Sequence, residues 1–457
     1  HFLYNKTTIN QQHFFQYMDS STQSILLELL NFSTSQNQKL YVVGGTLRDY
    51  LSRKPDFDLT GENAAEIGSC FSRSLNFTCV PLDNTPGRQT VRVILDQKRH
   101  LDFTDLQGKN IEEDLSQRDF TINAMGQLLS DFLSGKTNII DPFKGQEDLK
   151  NRKIRVLQGP IFQSDPLRML RAFRFAATLG FQIDEETLSK ISLHKTKLNE
   201  SAPERIWHEL TLFFKTPNTI SLLEIMHNCG LLHCLFPISD KTSTFAQYQR
   251  LESLLEEPEK AFPEYTEELS ASGFLNNQYL LKLSKLLQGM NQNSAITSTE
   301  ASDGPVVKDW NTSASNAEIK FMDQTLNGAR CLTEAYLKEN HEPDNSATYE
   351  LIIMIHEELL ASVILFISAF HLINREVTLF CNSIFKFYFR QFLPTMNKRP
   401  LLTGEDIIHQ FRLSPSPLFG EILHCVQKEQ VLGSIVTREE AIALAGDLIQ
   451  SKLAESE

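Results

Sequence analysis

An α+β head followed by a long helical remainder is the fold class the sequence predicts, on three observations. Four short β-rich runs, KLYVVGG, FDLTG, VRVIL and HLDFTDL, lie before residue 107 with helix-like segments between them. After residue 145 almost every segment has helical periodicity. At 457 residues, with 41% hydrophobic and 22% charged residues, the chain is long enough for two or more domains with sizeable cores.

The elements can be taken in chain order. Residues 1–38 read as an N-terminal extension; the opening HFLYNKTTINQQ lacks the basic start and apolar middle of a signal peptide. VVGGTLRDYL then reads as a strand running into Gly44-Gly45 and a helix from near Thr46. Glycines allow close backbone approach, and a helix N-terminus favours an anion such as a triphosphate, to which Arg48 adds a fork. A plain strand-to-helix turn accounts for the glycines equally well. Neither the Walker loop nor the GxGxxG fingerprint is present.

KPDFDLTG places Asp56 and Asp58 one residue apart, on one face of a strand. Mg²⁺ accepts one or two carboxylates and leaves its other positions to water and phosphate; a polar turn is the competing reading. Asp102 in HLDFTD is the best-placed third carboxylate, or simply an exposed strand residue. VPLDNTPGRQT, residues 80 to 90, reads as a loop, and EEDLSQRDFTINAM, residues 112 to 125, fits no simple amphipathic template.

FQSDPLRMLRAFRF sets Arg168, Arg171 and Arg174 at spacing three along one side of a helix, suited to a polyanion or to solvent. SAPERIWHEL has a capping-box pattern, Ser201 with Glu204, and an Arg205 to Glu209 pair, and reads as structural. HNCGLLHC suggests zinc only weakly, because LLEIMHNCGLLHCLF is a helix ending at Gly230 with no second ligand cluster. Residues 291 to 318, rich in Ser, Thr, Asn and Ala, read as an insertion or linker.

The net charge of −13 argues against a general nucleic-acid binder, yet residues 144 to 174 carry eight basic and three acidic residues, and 252 to 268 one basic and seven acidic. Seven cysteines without paired spacing point to a reducing compartment, with cytoplasm as the default. The longest uncharged apolar run, LLASVILFISAF, is short of the roughly 20 residues that span a bilayer and reads as a buried helix.

Taken in order, GGTLRD, DFDLT, QRDFTINAM, DPFKGQEDL, DPLRMLRAFRFAATLGF and ERIWHEL resemble the class II tRNA nucleotidyltransferase and bacterial poly(A) polymerase family over roughly residues 39 to 240; a weaker tail match, LLTGEDIIHQF with PLFGEIL, extends to about 430. The resemblance implies a nucleotidyltransferase head (39–140), a neck that reads the nucleotide base (141–200), an RNA-binding body (201–290) and a tail (319–457), all helical after the head. It implies catalytic and metal-binding roles for Asp56 and Asp58 with Mg²⁺, and nucleotide contacts from Gly45, Arg48, Arg118 and Asp119. Asp165 and Arg168, read as lying three residues apart on one helix, would read the base, with Arg171 and Arg174 as further contacts. The substrates implied are a tRNA or other RNA 3′ end with ATP and CTP, and neither DNA nor membrane. Gln117 stands where the family has another arginine, and Ser164 where a glutamate is common.

The implied reaction adds C and A, or A alone, to tRNA 3′ ends, with a poly(A) polymerase and a catalytically silent RNA-binding protein as alternatives. Relatives keep a flexible element tied to the switch from C to A at the position of residues 80 to 90.

Overall fold

A computed structural model describes residues 18–48, 57–290, 313–338, 343–370, 375–412 and 417–454. Asp56, the first seventeen residues and most of the 291–318 insertion lie outside the described residues. The chain divides into two compact units, His1–Glu209 with Ile225–Cys234, and Leu210–Glu224 with Leu235–Glu457.

The first unit is built on a six-stranded mixed sheet: β1 (Leu40–Val43), β2 (Phe57–Gly61), β3 (Thr78–Asp83), β4 (Thr90–Ile94), β5 (His100–Asp105) and β6 (Gly126–Leu128), in the order β3-β4-β5-β2-β1-β6. Only β2 and β5 run parallel; every other pair is antiparallel. Alternation sets its two faces apart. Val91, Val93, Leu101, Phe103, Phe57 and Leu59 are buried on one face, whereas Arg92, Asp102 and Asp58 point to the other.

Helices Ser20–Ser35 and Ala64–Ser74 cover the apolar face through Leu26, Leu29, Ile67 and Phe71. The second of these packs so closely that a Cβ on Gly68 would stand 2.7 Å from the Phe103 ring. Asp105, at the end of β5, accepts the Ala65 N–H at 2.9 Å and ties that helix to the sheet.

Two segments differ from the sequence expectation. Residues 80 to 83 belong to β3, so the supposed loop shrinks to 84–89. Pro81 sits on an edge strand, where a missing N–H costs no ladder bond. Beyond the head, helix Arg168–Leu179 is preceded and followed by Lys153–Ile154 and Gln182–Ile183, which pair as a short parallel ladder. That helix buries Met169, Leu170, Ala172, Phe173 and Ala176 on one side and ends at Gly180.

The second unit is helical. Leu359–Ile367 is a helix with all nine residues buried, and among the described residues no helix is long and apolar enough to cross a membrane. Glu252, from the acidic stretch, is itself buried and pairs with Lys282 at 2.7 Å. The last helices, Gly404–Phe411, Pro417–Leu432 and Arg438–Ala454, close a separate small core around Ile407, Ile422, Val426 and Ala445. All seven cysteines are free thiols.

Candidate active site

Three neighbouring strands place Arg92, Asp102 and Asp58 opposite one another in register, β4 to β5 to β2, in one row on the polar face. Arg92 grips Asp102 with both prongs, Nε to Oδ1 and Nη2 to Oδ2, each at 2.8 Å. His100 Nε2 lies 3.8 Å from the same Oδ2. Asp58 donates its own N–H to Thr46 Oγ1 at 2.8 Å. Its carboxyl is pushed above the usual range by burial and by the neighbouring Asp102, against the pull of Arg118, the Gly45 N–H and Arg48.

Two carboxylates standing side by side, one carrying a penalty only partly relieved by its neighbours, fit a hard divalent cation that takes one or two carboxylates and completes its shell with water and phosphate. Asp56 lies outside the described residues, and among those described no group of three or more His, Cys, Asp or Glu could hold a metal.

A cavity of about 500 Å³ is lined by Asp58 and by seven arginines, 48, 88, 118, 168, 171, 174 and 205. At its inner end Gly44 has φ +60°, and a Cβ there would meet Arg118 Nη1 at 3.0 Å and Asp58 Oδ2 at 3.5 Å. The glycine therefore lets a guanidinium and a carboxylate approach the same strand end. Arg118 is held by the buried Asp114, whose Oδ2 accepts from Nη2 at 3.0 Å and Nε at 3.2 Å. Arg48 is buried, donates Nη1 to Asn123 Oδ1 at 2.7 Å, and lies 4.7 Å from the Phe175 ring centroid.

Asp119 is buried and accepts from the Phe120 N–H, Asn123 Nδ2 and Arg171 Nε, each at 2.8 Å. Burial raises its pKa, but Arg171, Asn123 and Arg168 outweigh that and hold it at about 2. Arg174 pairs with the buried Glu209 at 2.6 Å and lies 4.0 Å from the Phe175 centroid. Arg171 also reaches Glu209, at 3.5 Å. The arginine stripe is thus backed by Asp119 and Glu209, which set its forks in place.

Asp165 and Arg168 do not share a helix. Asp165 is extended (φ −147°, ψ 94°), after the turn Ile161–Ser164, and the helix begins at Arg168. Arg168 donates to the Gln117 and Arg118 carbonyls at 2.9 and 3.3 Å and stands 4.0 Å from Asp165.

Arg205, read from the sequence as a helix-surface partner of Glu209, instead donates Nη2 to Asp165 Oδ2 at 2.9 Å. The capping box there is not formed: the helix starts at Pro203, and the buried Ser201 hydroxyl has no hydrogen-bond partner. Arg205, Arg92, Asn123 and Arg88 are site residues that sequence reasoning passed over. The signal for Arg205 was its place in ERIWHEL, in the first turn of the helix Pro203–Phe214, and for Asn123 its place in QRDFTINAM; Arg92 and Arg88 had none.

Three family models match the chain: a poly A polymerase head domain over residues 40–155, a "Probable RNA and SrmB- binding site of polymerase A" over 180–242, and tRNA nucleotidyltransferase domain 2 over 381–445. The chain belongs to the tRNA nucleotidyltransferase and poly(A) polymerase family.

Within this family it is similar to the CC-adding tRNA nucleotidyltransferase of Geobacter sulfurreducens, at 29% identity over 88% of this chain and 90% of that one. The enzyme of the same name from Synechocystis is 25% identical over 90% and 94%. Among solved structures, the Thermotoga maritima CCA-adding enzyme complexed with tRNA has the same fold, with TM-score 0.69 and 23% identity over 97% of this chain and 98% of that one. A CCA-adding enzyme with CTP superposes with TM-score 0.70 at 24% identity, covering 98% and 97%.

Proposed function

We propose that this chain is a template-independent tRNA nucleotidyltransferase that joins nucleotides from CTP, and from ATP where the product includes A, to tRNA 3′ ends. The observation that supports it best is the arginine-lined cavity opening onto Asp58, with Asp102 in register beside it. The RNA 3′-hydroxyl attacks the α-phosphorus and pyrophosphate leaves. Mg²⁺ held by Asp58 and Asp102, with Asp56, would activate the nucleophile and stabilise the leaving oxygens.

The protein's own groups do the rest. Arg118 and the Gly45 turn face the phosphates, with Arg171 and Arg174 as further contacts backed by Asp119 and Glu209. Arg48, engaged with Asn123, lines the same cavity. Cytosine and adenine both present an exocyclic amine beside a ring-nitrogen acceptor, whereas uracil and guanine reverse that order. Asp165 as acceptor and Arg168 as donor match the first pattern, and Arg205 orients Asp165 for it. Residues 39–140 serve as the catalytic head, 141–200 read the base, and 201–290 with 319–457 hold the RNA, in the cytoplasm.

We read the product as CC rather than a complete CCA. The β3–β4 connection is only residues 84–89, pinned by Asp83 Oδ1 accepting the Thr85 N–H at 2.9 Å and by the Arg88 N–H to Thr85 carbonyl bond at 2.9 Å. A short, internally bonded turn has little freedom to reorganise the pocket from C to A. Incubating tRNAs ending before CCA, after C and after CC with CTP, ATP or both, then sequencing the 3′ ends, tests this. Two added C residues and none of A support it. Added A on the CC-ended tRNA overturns the CC product, a run of A on any RNA favours a poly(A) polymerase, and no metal-dependent labelling at all overturns the enzymatic reading.

A further inference from the structure

The row formed by Arg92, Asp102 and Asp58 sets a fixed cation at one end of a pair of carboxylates. Neighbouring strands lie about 4.8 Å apart, so the two carboxylates repel unless positive charge stands beside them. Arg92 supplies it from the side away from Asp58, and its two parallel bonds of 2.8 Å occupy both oxygens of Asp102. The Asp102 side chain is only 18% exposed, so water screens the pair poorly. A planar fork cannot shift to a single oxygen without giving up one of these bonds.

A divalent cation at Asp58 that draws on Asp102 needs an oxygen that Arg92 already holds. His100 Nε2 lies 3.8 Å from Asp102 Oδ2 and does not replace either bond. We propose that Arg92 competes with the metal ion for Asp102 and thereby sets the affinity of the site for divalent cations. Arg92 is then a positioning residue acting through Asp102. This rests on the reading that Asp58 holds a divalent cation.

The test is Mn²⁺ binding to the full chain without RNA or nucleotide, read from the electron paramagnetic resonance of free Mn²⁺. Arg92→Gln is expected to bind Mn²⁺ about tenfold more tightly, the size of one charge-assisted hydrogen bond. Arg92→Lys, which keeps the charge but not the fork, is expected to fall between it and the wild type. In an Asp102→Asn background Arg92→Gln should change nothing, since no carboxylate is left to compete for.

Unchanged or weaker binding by folded Arg92→Gln overturns the proposal. So does equal tightening in the Asp102→Asn background, which would mark a long-range field rather than competition. If Arg92→Gln does not fold, Arg92→Lys decides, and wild-type affinity in it counts against the proposal. Asp58→Asn separates the two levels: wild-type Mn²⁺ binding in that variant overturns the metal reading of the site itself.

Discussion

Asp119 Oδ2 lies 2.8 Å from Arg171 Nη2, with the Asp119 side chain 7% exposed, so one buried carboxylate anchors the middle arginine of the stripe. Its pKa is about 2, below the ordinary value of 3.8. A depressed folded-state pKa adds stability above the unfolded value that is lost as pH falls through the folded one. This pair should therefore stabilise the first unit fully above about pH 4 and lose its contribution, on the order of 2 kcal/mol, on acidification towards about pH 2. Urea unfolding of wild type and Asp119→Asn across that range should converge at the acid end. Parallel curves would show that the pair carries no such linkage.

Asp58→Asn is nearly isosteric but removes the charge facing the cavity. Turnover should drop more than about tenfold, because metal-stabilised transition states are worth several kcal/mol. The thermal midpoint should hold or rise, since Asp58 pays for burial and for the nearby Asp102. Full activity in a single-turnover assay would rule out the assigned role.

Arg205→Ala frees Asp165 from its partner at 2.9 Å. Selection between CTP and UTP should weaken by roughly 1–3 kcal/mol, the size of one specific base contact, with a smaller effect on RNA binding. Asp165→Ala should do the same, and the double variant should add little to either. A loss of rate with unchanged base choice would make Arg205 structural and withdraw base reading from Asp165.

Lys282 and Glu252 test the second unit. Glu252 accepts the Thr219 and Ile220 N–H groups at 2.8 and 3.0 Å in addition to Lys282. Lys282→Met leaves that carboxylate buried without its cation and should cost about 3–5 kcal/mol. Lys282→Met with Glu252→Gln should recover part of the loss. Denaturation midpoints of the two variants provide the comparison.

Much of the head was legible because period two is unmistakable in TVRVI and HLDFTD, and the stripe Arg168, Arg171, Arg174 because its opposite side is apolar. β3 was hidden by Pro81, and β6 by its three-residue length, its existence resting on pairing with β1. Asp165 was placed on a helix although Pro166 follows it, and a residue before proline is driven towards extended backbone. Arg205 went to the wrong acid because helical spacing offered Glu209 four residues on, whereas the fold supplies Asp165 forty residues away. Arg92 carried no local signal at all: what defines it is a neighbour on another strand.

Within the six-stranded sheet the parallel pairing of β2 with β5 has a consequence in time. Asp58 and Asp102 come side by side only after residues 62–99, with their helix and hairpin, have crossed back over the sheet. Such non-local closure is slow compared with hairpin formation. Arg92 and Asp102 can meet early, within the β4–β5 hairpin, so the carboxylate is already neutralised while its partner is still absent. During refolding, cation capture should therefore lag behind hairpin formation and coincide with the last acquisition of native structure in the head.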